Sequence, residues 1–331
     1  MRLNRSSLST LDRMRMQQNT QQFRSNFRRL GKMQRQRAIS YLNEARLRFP
    51  TLYLLIPEIQ DLDLFSHLNL RNLSALKLCA QFADNQALQS KLNSLSADDK
   101  NARPAALKWI LQTGAEADGL SHEYDQILDA STAMLTPISK ENSLLPQVAD
   151  LVFTRHRKGA YLHDLVWGFF QSANPETLKL LAEHLLSRNP EEAEFAQKLL
   201  NLLPLENQGA AHPRQLYAQY KVWLQENLPY LYYTGESMQY SSRPQAFRVN
   251  LDAKYLHKKI SPVTGNPVIP PNASEESLLQ RFHEAEESDQ KILAAYSLKL
   301  HKSDVDRWKA WLEKQTQQQL LEAKSNQEGA L

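Results

Sequence analysis

Glycine is scarce in this chain, which has nine glycines among 331 residues. Nucleotide-binding parallel sheets and sandwiches of many short strands use glycine in their turns, because glycine adopts a positive φ without steric cost. Apolar residues instead recur at helical spacing along most of the sequence. We therefore predict an all-α fold, an irregular helical array with minor or no β content, in which any strand lies near residues 247–251.

The composition excludes several other classes of protein. A mean hydropathy of −0.55 and the lack of a long apolar run exclude a membrane-spanning helix. The single cysteine, Cys79, excludes an intramolecular disulfide and a thiolate zinc cluster. No apolar leader follows the basic start of the sequence. These features predict a cytoplasmic protein that uses neither a metal nor a cofactor.

Shifts in composition divide the sequence into four segments. We predict a basic amphipathic arm over residues 1–50 and a helical repeat-like body over 51–228. An irregular segment rich in proline and tyrosine follows over 229–272, and C-terminal helices complete the chain over 273–331. At about 150 residues per domain, the length predicts two domains or one elongated helical array.

The clearest pattern in the body is a pair of similar motifs, NPET at 174–177 and NPEE at 189–192. In each motif Asn can cap a helix, proline suits the first turn, and Glu complements the positive helix end. The spacing predicts an antiparallel HEAT-like hairpin of helices over 175–187 and 190–203, with Pro204 as its stop; an irregular bundle is the alternative. The side chains expected to be buried in the hairpin are Leu181, Leu185, Ala196 and Leu200.

The first fifty residues are strongly basic, with twelve Lys and Arg against two acids. Phe23 and Phe27 share one helical face, which predicts a frayed amphipathic helix over 10–30 and a firmer one over 33–48. Such an arm docks on an acidic surface of its own chain, or contacts nucleic acid or an anionic membrane. We expect residues 1–32 to bury few apolar side chains and to be dispensable for the body. The candidate polyanion contacts are Arg24, Arg28, Arg29, Arg35 and Arg37.

The sequence carries none of the common catalytic or cofactor-binding motifs, neither a glycine-rich phosphate loop nor an HExxH zinc motif. The best candidate for chemistry is a polar cluster around Gly159, a glycine expected to end one helix. The cluster is an anion site or a His–Asp acid–base pair, or else a charged turn with Asp164 as a capping residue. Its members are Arg155, His156, Arg157, Lys158, His163 and Asp164.

A second candidate surface is aromatic. Tyr230, Tyr232 and Tyr233 follow a proline at a spacing that is not helical. Tyrosines of this kind anchor interfaces, because the ring supplies area and the hydroxyl keeps a hydrogen bond; alternatively they seal the end of a helical stack. Tyr220 and Trp223 have helical spacing and are interpreted as core.

Several blocks of the sequence resemble uncharacterised proteins of spore-forming clostridia and their relatives. These blocks are LLP at 144–146, LVFTRHRKG at 151–159, HDLVWGFF at 163–170, QKLLNLLP at 197–204 and YTGES at 233–237. The resemblance covers roughly residues 120–260. It implies a bacterial cytoplasmic setting and a link to sporulation, and it implies no catalytic residues.

Three functions stay open at this point. The repeat-like body without a catalytic motif favours a helical protein-interaction or scaffold protein whose partner is another protein. The first alternative is a nucleic-acid-associated protein that binds nucleic acid, or another anionic surface, through residues 1–50. The second alternative is an enzyme of unrecognised type around His156, His163 and Asp164.

Overall fold

Capping residues and apolar stripes give a structure built almost entirely of helices, which confirms the all-α prediction. The chain forms two compact units, Met1–Ser172 and Ala173–Leu331. The segment boundaries predicted near residues 50, 228 and 272 lie inside these units. The computed structural model describes residues 8–95, 102–138, 142–202, 213–237, 241 and 244–328.

The described part of the first unit contains eleven α-helices joined by short turns. Their bounds are Thr10–Gln17 (α1), Thr20–Met33 (α2), Arg35–Leu42 (α3), Phe49–Leu54 (α4), Ile56–Asp61 (α5), Leu70–Phe82 (α6), Gln86–Asn93 (α7), Ala102–Gly114 (α8), His122–Ile138 (α9), Leu145–Arg157 (α10) and His163–Phe170 (α11).

The basic arm is part of the packed first unit. Ser9 and Asp12 form a capping box at the start of α1, and Asp12 also accepts a hydrogen bond from the hydroxyl of Thr51. Phe23 and Phe27 of α2 are fully buried. The expectation that residues 1–32 bury few apolar side chains is therefore wrong for the described part of that range. The single helix expected over 10–30 is instead two helices, because the side chain of Asn19 caps a new one.

Helix α9 lies at the centre of the first unit and packs against α6, α8 and α11. The approach of α11 is close at Gly168, where an added Cβ would lie 3.2 Å from the backbone nitrogen of Ala133. The hydroxyl of Thr136 donates to the Gly168 carbonyl at 2.6 Å. Glycine at this position therefore lets two helices pack backbone to backbone.

The described part of the second unit contains eight α-helices and one two-stranded antiparallel sheet. Their bounds are Glu176–Glu183 (α12), Pro190–Leu199 (α13), Pro213–Asn227 (α14), Leu231–Tyr233 (β1), Phe247–Val249 (β2), Leu251–Tyr255 (α15), Ala273–His283 (α16), Glu287–Ser303 (α17), Val305–Leu312 (α18) and Thr316–Glu328 (α19).

The predicted hairpin corresponds to α12 and α13. Asn189 caps α13 as predicted, with Pro190 in the first turn, whereas Asn174 lies one residue before the cap of α12 and accepts from the Glu176 N–H. Helix α13 ends at Leu199, and Pro204 lies outside the described residues. All four side chains expected to be buried in the hairpin are buried: Leu181, Leu185, Ala196 and Leu200.

The segment over 229–272 is more regular than predicted. The strand expected near 247–251 is present as β2, and it pairs with β1, a strand that the sequence analysis missed. Helix α15 follows directly, because Asn250 caps it by accepting from the Ala253 N–H. Behind α15 the C-terminal helices bury a core centred on Tyr255, Phe282 and Trp311.

Candidate functional site

The turn between α10 and α11 has the geometry predicted from Gly159. This residue has a φ of +60°, and its N–H donates to the His156 carbonyl at 3.0 Å. The next N–H, of Ala160, reaches back to the Arg155 carbonyl at 3.0 Å. The chain thus reverses after α10 through a left-handed glycine, and His163 and Asp164 begin α11.

Arg155 is the centre of this cluster and points into the first unit rather than to solvent. Its side chain is 1% exposed and holds two carboxylates, with Nε 2.8 Å from Asp118 Oδ1 and Nη1 2.6 Å from Asp129 Oδ1. A third bond joins Nη2 to the Asp125 carbonyl. The guanidinium is therefore neutralised inside the fold, which argues against its use as an anion site.

The charges around Arg155 shift one another's proton affinities. Burial raises the pKa of Asp129 to about 6, although the neighbouring guanidinium acts in the opposite direction. Burial lowers the pKa of Arg155, but the charges of Asp129 and Asp118 outweigh it, and the net shift is upward. The Asp129 shift therefore follows from removing its carboxylate from water, and the Arg155 shift follows from the two negative charges beside it.

Four other members of the cluster are exposed at the same turn, whereas His156 is half-buried; the exposed ones are Arg157, Lys158, His163 and Asp164. Lys158 donates to the Asp118 carbonyl at 3.0 Å, and Arg157 donates to the hydroxyl of Thr154. Asp164 accepts from the hydroxyl of Tyr161 at 3.3 Å, and the Tyr161 ring also packs on His163. The contacts of these residues fit the interpretation of a charged turn better than that of an acid–base pair, but Asp164 does not cap α11, because the N-cap is Leu162 and no side chain caps it.

The three candidate interface tyrosines are built into the second unit. Tyr230 is buried, burial raises its pKa to about 12, and its hydroxyl lies 2.7 Å from His257 Nδ1. Tyr232 packs beneath Gly265, where an added Cβ would lie 2.9 Å from the ring. Tyr233 pairs with Phe247 across the two strands. These side chains fit the alternative in which they seal the fold.

A groove in the second unit was not foreseen from the sequence. It encloses about 340 Å³ between α12, the end of α13, α14 and the strand β2. Leu178 comes from α12, residues 199–202 close one end, and the segment before and within β2 adds Ala246 and Phe247. Helix α14 supplies Leu216, Tyr220 and Trp223.

The groove is apolar and uncharged. No charged side chain is among the described residues that line it, and the polar groups at its edge are the amides of Asn201, Gln219 and Gln245. The Tyr220 and Trp223 rings stack with centroids 5.3 Å apart, and Trp223 is 40% exposed. An exposed tryptophan beside an open apolar groove is typical of a recognition surface.

The arginines of the arm divide into two sets. Arg24 and Arg28 both bind the buried carboxylate of Glu58, and Arg35 donates to the carbonyls of Leu62 and Asp63. Arg37 is exposed and donates to the hydroxyl of Tyr41 and to the Gln34 side chain. Arg29 is exposed. Most of the candidate polyanion contacts therefore serve the fold, which supports docking of the arm on its own chain.

Two general findings concern the described residues only. They hold no group of three or more His, Cys, Asp or Glu that could bind a metal ion together. No helix among them combines the length and the apolar character needed to cross a membrane. Cys79 is buried, as expected, and burial raises the pKa of its thiol far above the usual range.

Comparison of the chain with protein-family models, with curated proteins and with solved structures finds no match.

Proposed function

We propose that this chain is a helical protein-interaction or scaffold protein that receives apolar side chains of a partner in the groove of its second unit. The observation that carries the proposal is the groove itself, about 340 Å³ of apolar, uncharged space beside the exposed ring of Trp223. Its volume lies within the range of ordinary binding pockets, roughly 300–1,000 Å³.

The chemistry of the groove selects the kind of partner. Its walls lack charge, so a charged ligand would lose hydration without gaining an ionic partner. Trp223 lines the groove and is still 40% exposed, so part of its ring faces solvent. An apolar ligand that fits the cavity alone would leave this part of the ring uncovered. A protein segment covers both, because its side chains enter the groove while its backbone lies along the edge.

The edge of the groove suits a peptide backbone. The side-chain amide of Gln219 carries donors and an acceptor, and peptide groups need both. The amide of Gln245 adds N–H donors, while its oxygen already accepts from Arg248 Nε at 3.0 Å. The partner that fits best is an amphipathic helix that inserts neighbouring apolar side chains, three or four residues apart. A bacterial cytoplasmic setting with a link to sporulation is part of this proposal.

The proposal is tested with a phage-displayed library of 16-residue peptides selected on the full-length protein. We expect enriched peptides with apolar residues at helical spacing. In anisotropy titrations of a selected peptide, Trp223→Ala should weaken binding about tenfold or more, because buried aromatic anchors dominate such interfaces. The matched control is Leu321→Ala, which removes an exposed apolar side chain that does not line the groove.

A second variant keeps the test independent of Trp223. Ala246→Trp fills the groove from the strand side and should abolish peptide binding while thermal unfolding still shows a folded protein. Peptides that bind both groove variants as tightly as the wild-type protein would overturn the proposal. A different outcome would assign the groove to a small molecule instead. In that case the selected peptides would show no helical pattern, and an apolar dye would bind tightly to the wild-type protein but not to Ala246→Trp.

A further inference from the structure

Helix α2 has two chemically different sides. Phe23, Phe27 and Gly31 are buried on the inner side. On the opposite side Gln22, Ser25, Arg29 and Lys32 are exposed, and their spacing of three, four and three residues places them in one stripe along the helix. The stripe is about 15 Å long at 1.5 Å per residue. It presents hydrogen-bond donors and two cations to solvent.

The two cations of the stripe are not used by the fold. Arg24 and Arg28, on the flank of the same helix, hold the buried carboxylate of Glu58 at 2.9 and 3.1 Å. Within the described part of the chain, no carboxylate lies at ion-pair distance from Arg29 or Lys32. Their charges are thus fully available to an external anion.

Negative charge is scarce in α1–α3 themselves; the nearest exposed carboxylate on a helix packed against α2 is Asp61 of α5, which Arg28 already binds at 3.1 Å. Residues 8–43, which span α1, α2 and α3, contain one acid, Asp12. That carboxylate is buried, where it caps α1 and accepts a bond from Thr51. Exposed Arg13 and Arg37, on the neighbouring helices, add to the positive potential. The outer surface of α1–α3 therefore carries cations and no exposed carboxylate of its own.

We propose that the stripe Gln22–Ser25–Arg29–Lys32 on α2 binds the phosphate backbone of nucleic acid. Guanidinium and ammonium groups bind phosphates directly, and amide and hydroxyl groups complete such contacts. An anionic membrane fits less well, because an interfacial helix inserts its apolar side into the membrane. The apolar side of α2 is not available for insertion, since its residues Phe23 and Phe27 are already buried in the fold. Contacts of this kind position a backbone without reading base sequence.

The experiment uses the full-length protein and two fluorescent probes, a 24-base-pair duplex DNA of arbitrary sequence and a 24-nucleotide single-stranded RNA. Anisotropy is measured between 50 and 200 mM NaCl. We expect affinity to fall steeply with salt on at least one probe. In Arg29→Gln/Lys32→Gln the slope of log K against log salt should drop by about two for duplex DNA, with about tenfold weaker binding or more at 50 mM.

The matched control is Lys179→Gln/Lys198→Gln, which removes two exposed lysines from α12 and α13 and changes the net charge equally. It should leave affinity and slope nearly unchanged. Thermal unfolding of the stripe variant should match the wild-type protein, because neither side chain is buried. Equal loss in both double variants, or no binding to either probe, would overturn the proposal. Binding only to phosphatidylserine vesicles would overturn it in favour of a membrane.

Discussion

The imidazole rings of His257 and His301 stack with their centroids 3.5 Å apart and their planes 28° from parallel. His257 follows α15 with a φ of +53°, and His301 belongs to the last turn of α17. On one side the hydroxyl of Tyr230 is hydrogen-bonded to His257, and on the other the rings of Trp308 and His301 pack edge to face. Two neutral rings can pack in this way, whereas two charged rings would repel each other.

Stability of the second unit is expected to depend on this pair at mildly acidic pH. Burial lowers the pKa of both histidines from 6.5, and for His257 the charges of His301 and Lys302 lower it further. Because the folded-state pKa lies below the unfolded value, the contribution to stability is complete above pH 6.5 and is lost as the pH falls below it. Urea unfolding between pH 7.5 and 5 should show this loss.

The variant His301→Phe keeps an aromatic ring on His257 and removes one proton site. We expect a weaker pH dependence of stability than in the wild-type protein. An NMR titration of the imidazole protons should show the pKa of His257 moving toward its ordinary value. An unaltered His257 titration would mean that the two rings do not interact.

Arg155 offers a second prediction, on the first unit. Arg155→Met leaves Asp118 and Asp129 buried without their cation, which should cost about 3–5 kcal/mol in urea unfolding at pH 7.5. The loss should shrink at pH 5, because Asp129, with a pKa of about 6 beside Arg155, is then protonated even in the wild-type protein and the ion pair no longer contributes. The control Arg157→Met, at the exposed end of the same helix, should change stability by less than about 0.5 kcal/mol.

The packing of the arm gives a third prediction. Phe27→Ala should lower the free energy of unfolding by about 3–5 kcal/mol, because the ring is fully buried. Met33→Ala on the same helix removes a side chain that is 75% exposed and should have little effect. Chemical denaturation of both variants measures the difference. A loss near zero for Phe27→Ala would restore the expectation that the arm is dispensable.

Local chemistry explains which parts of this structure could be predicted from the sequence. Gly159 and Asn189 act within one helix turn, so their roles at a helix end and a helix start follow from residue type and spacing. The strand β1 was missed because its residues follow a proline and lack alternation. Its pairing with β2 is set by contacts with distant residues, such as that between Leu231 and Val249, eighteen residues apart.

The candidate sites depended on contacts that no local pattern encodes. The charge of Arg24 is visible in the sequence, but its partner Glu58 lies 34 residues further on. The sequence therefore could not separate Arg24 from Arg29, which has no carboxylate partner among the residues that the structure describes. The groove joins Leu178 to Phe247 across several elements. Helical spacing correctly predicts burial of Tyr220, yet the same spacing does not reveal that neighbouring Trp223 lies at an open edge.

The helical hairpin allows a test in which sequence spacing and burial are compared directly. Leu181 is fully buried, while Leu186, five residues later in the turn that ends α12, is 44% exposed. Leu181→Ala should cost about 2–5 kcal/mol in urea unfolding, because it removes apolar contact and leaves a cavity. Leu186→Ala deletes the same atoms from a solvated position and should cost less than about 0.5 kcal/mol. Similar losses for both variants would show that the hairpin buries a different side.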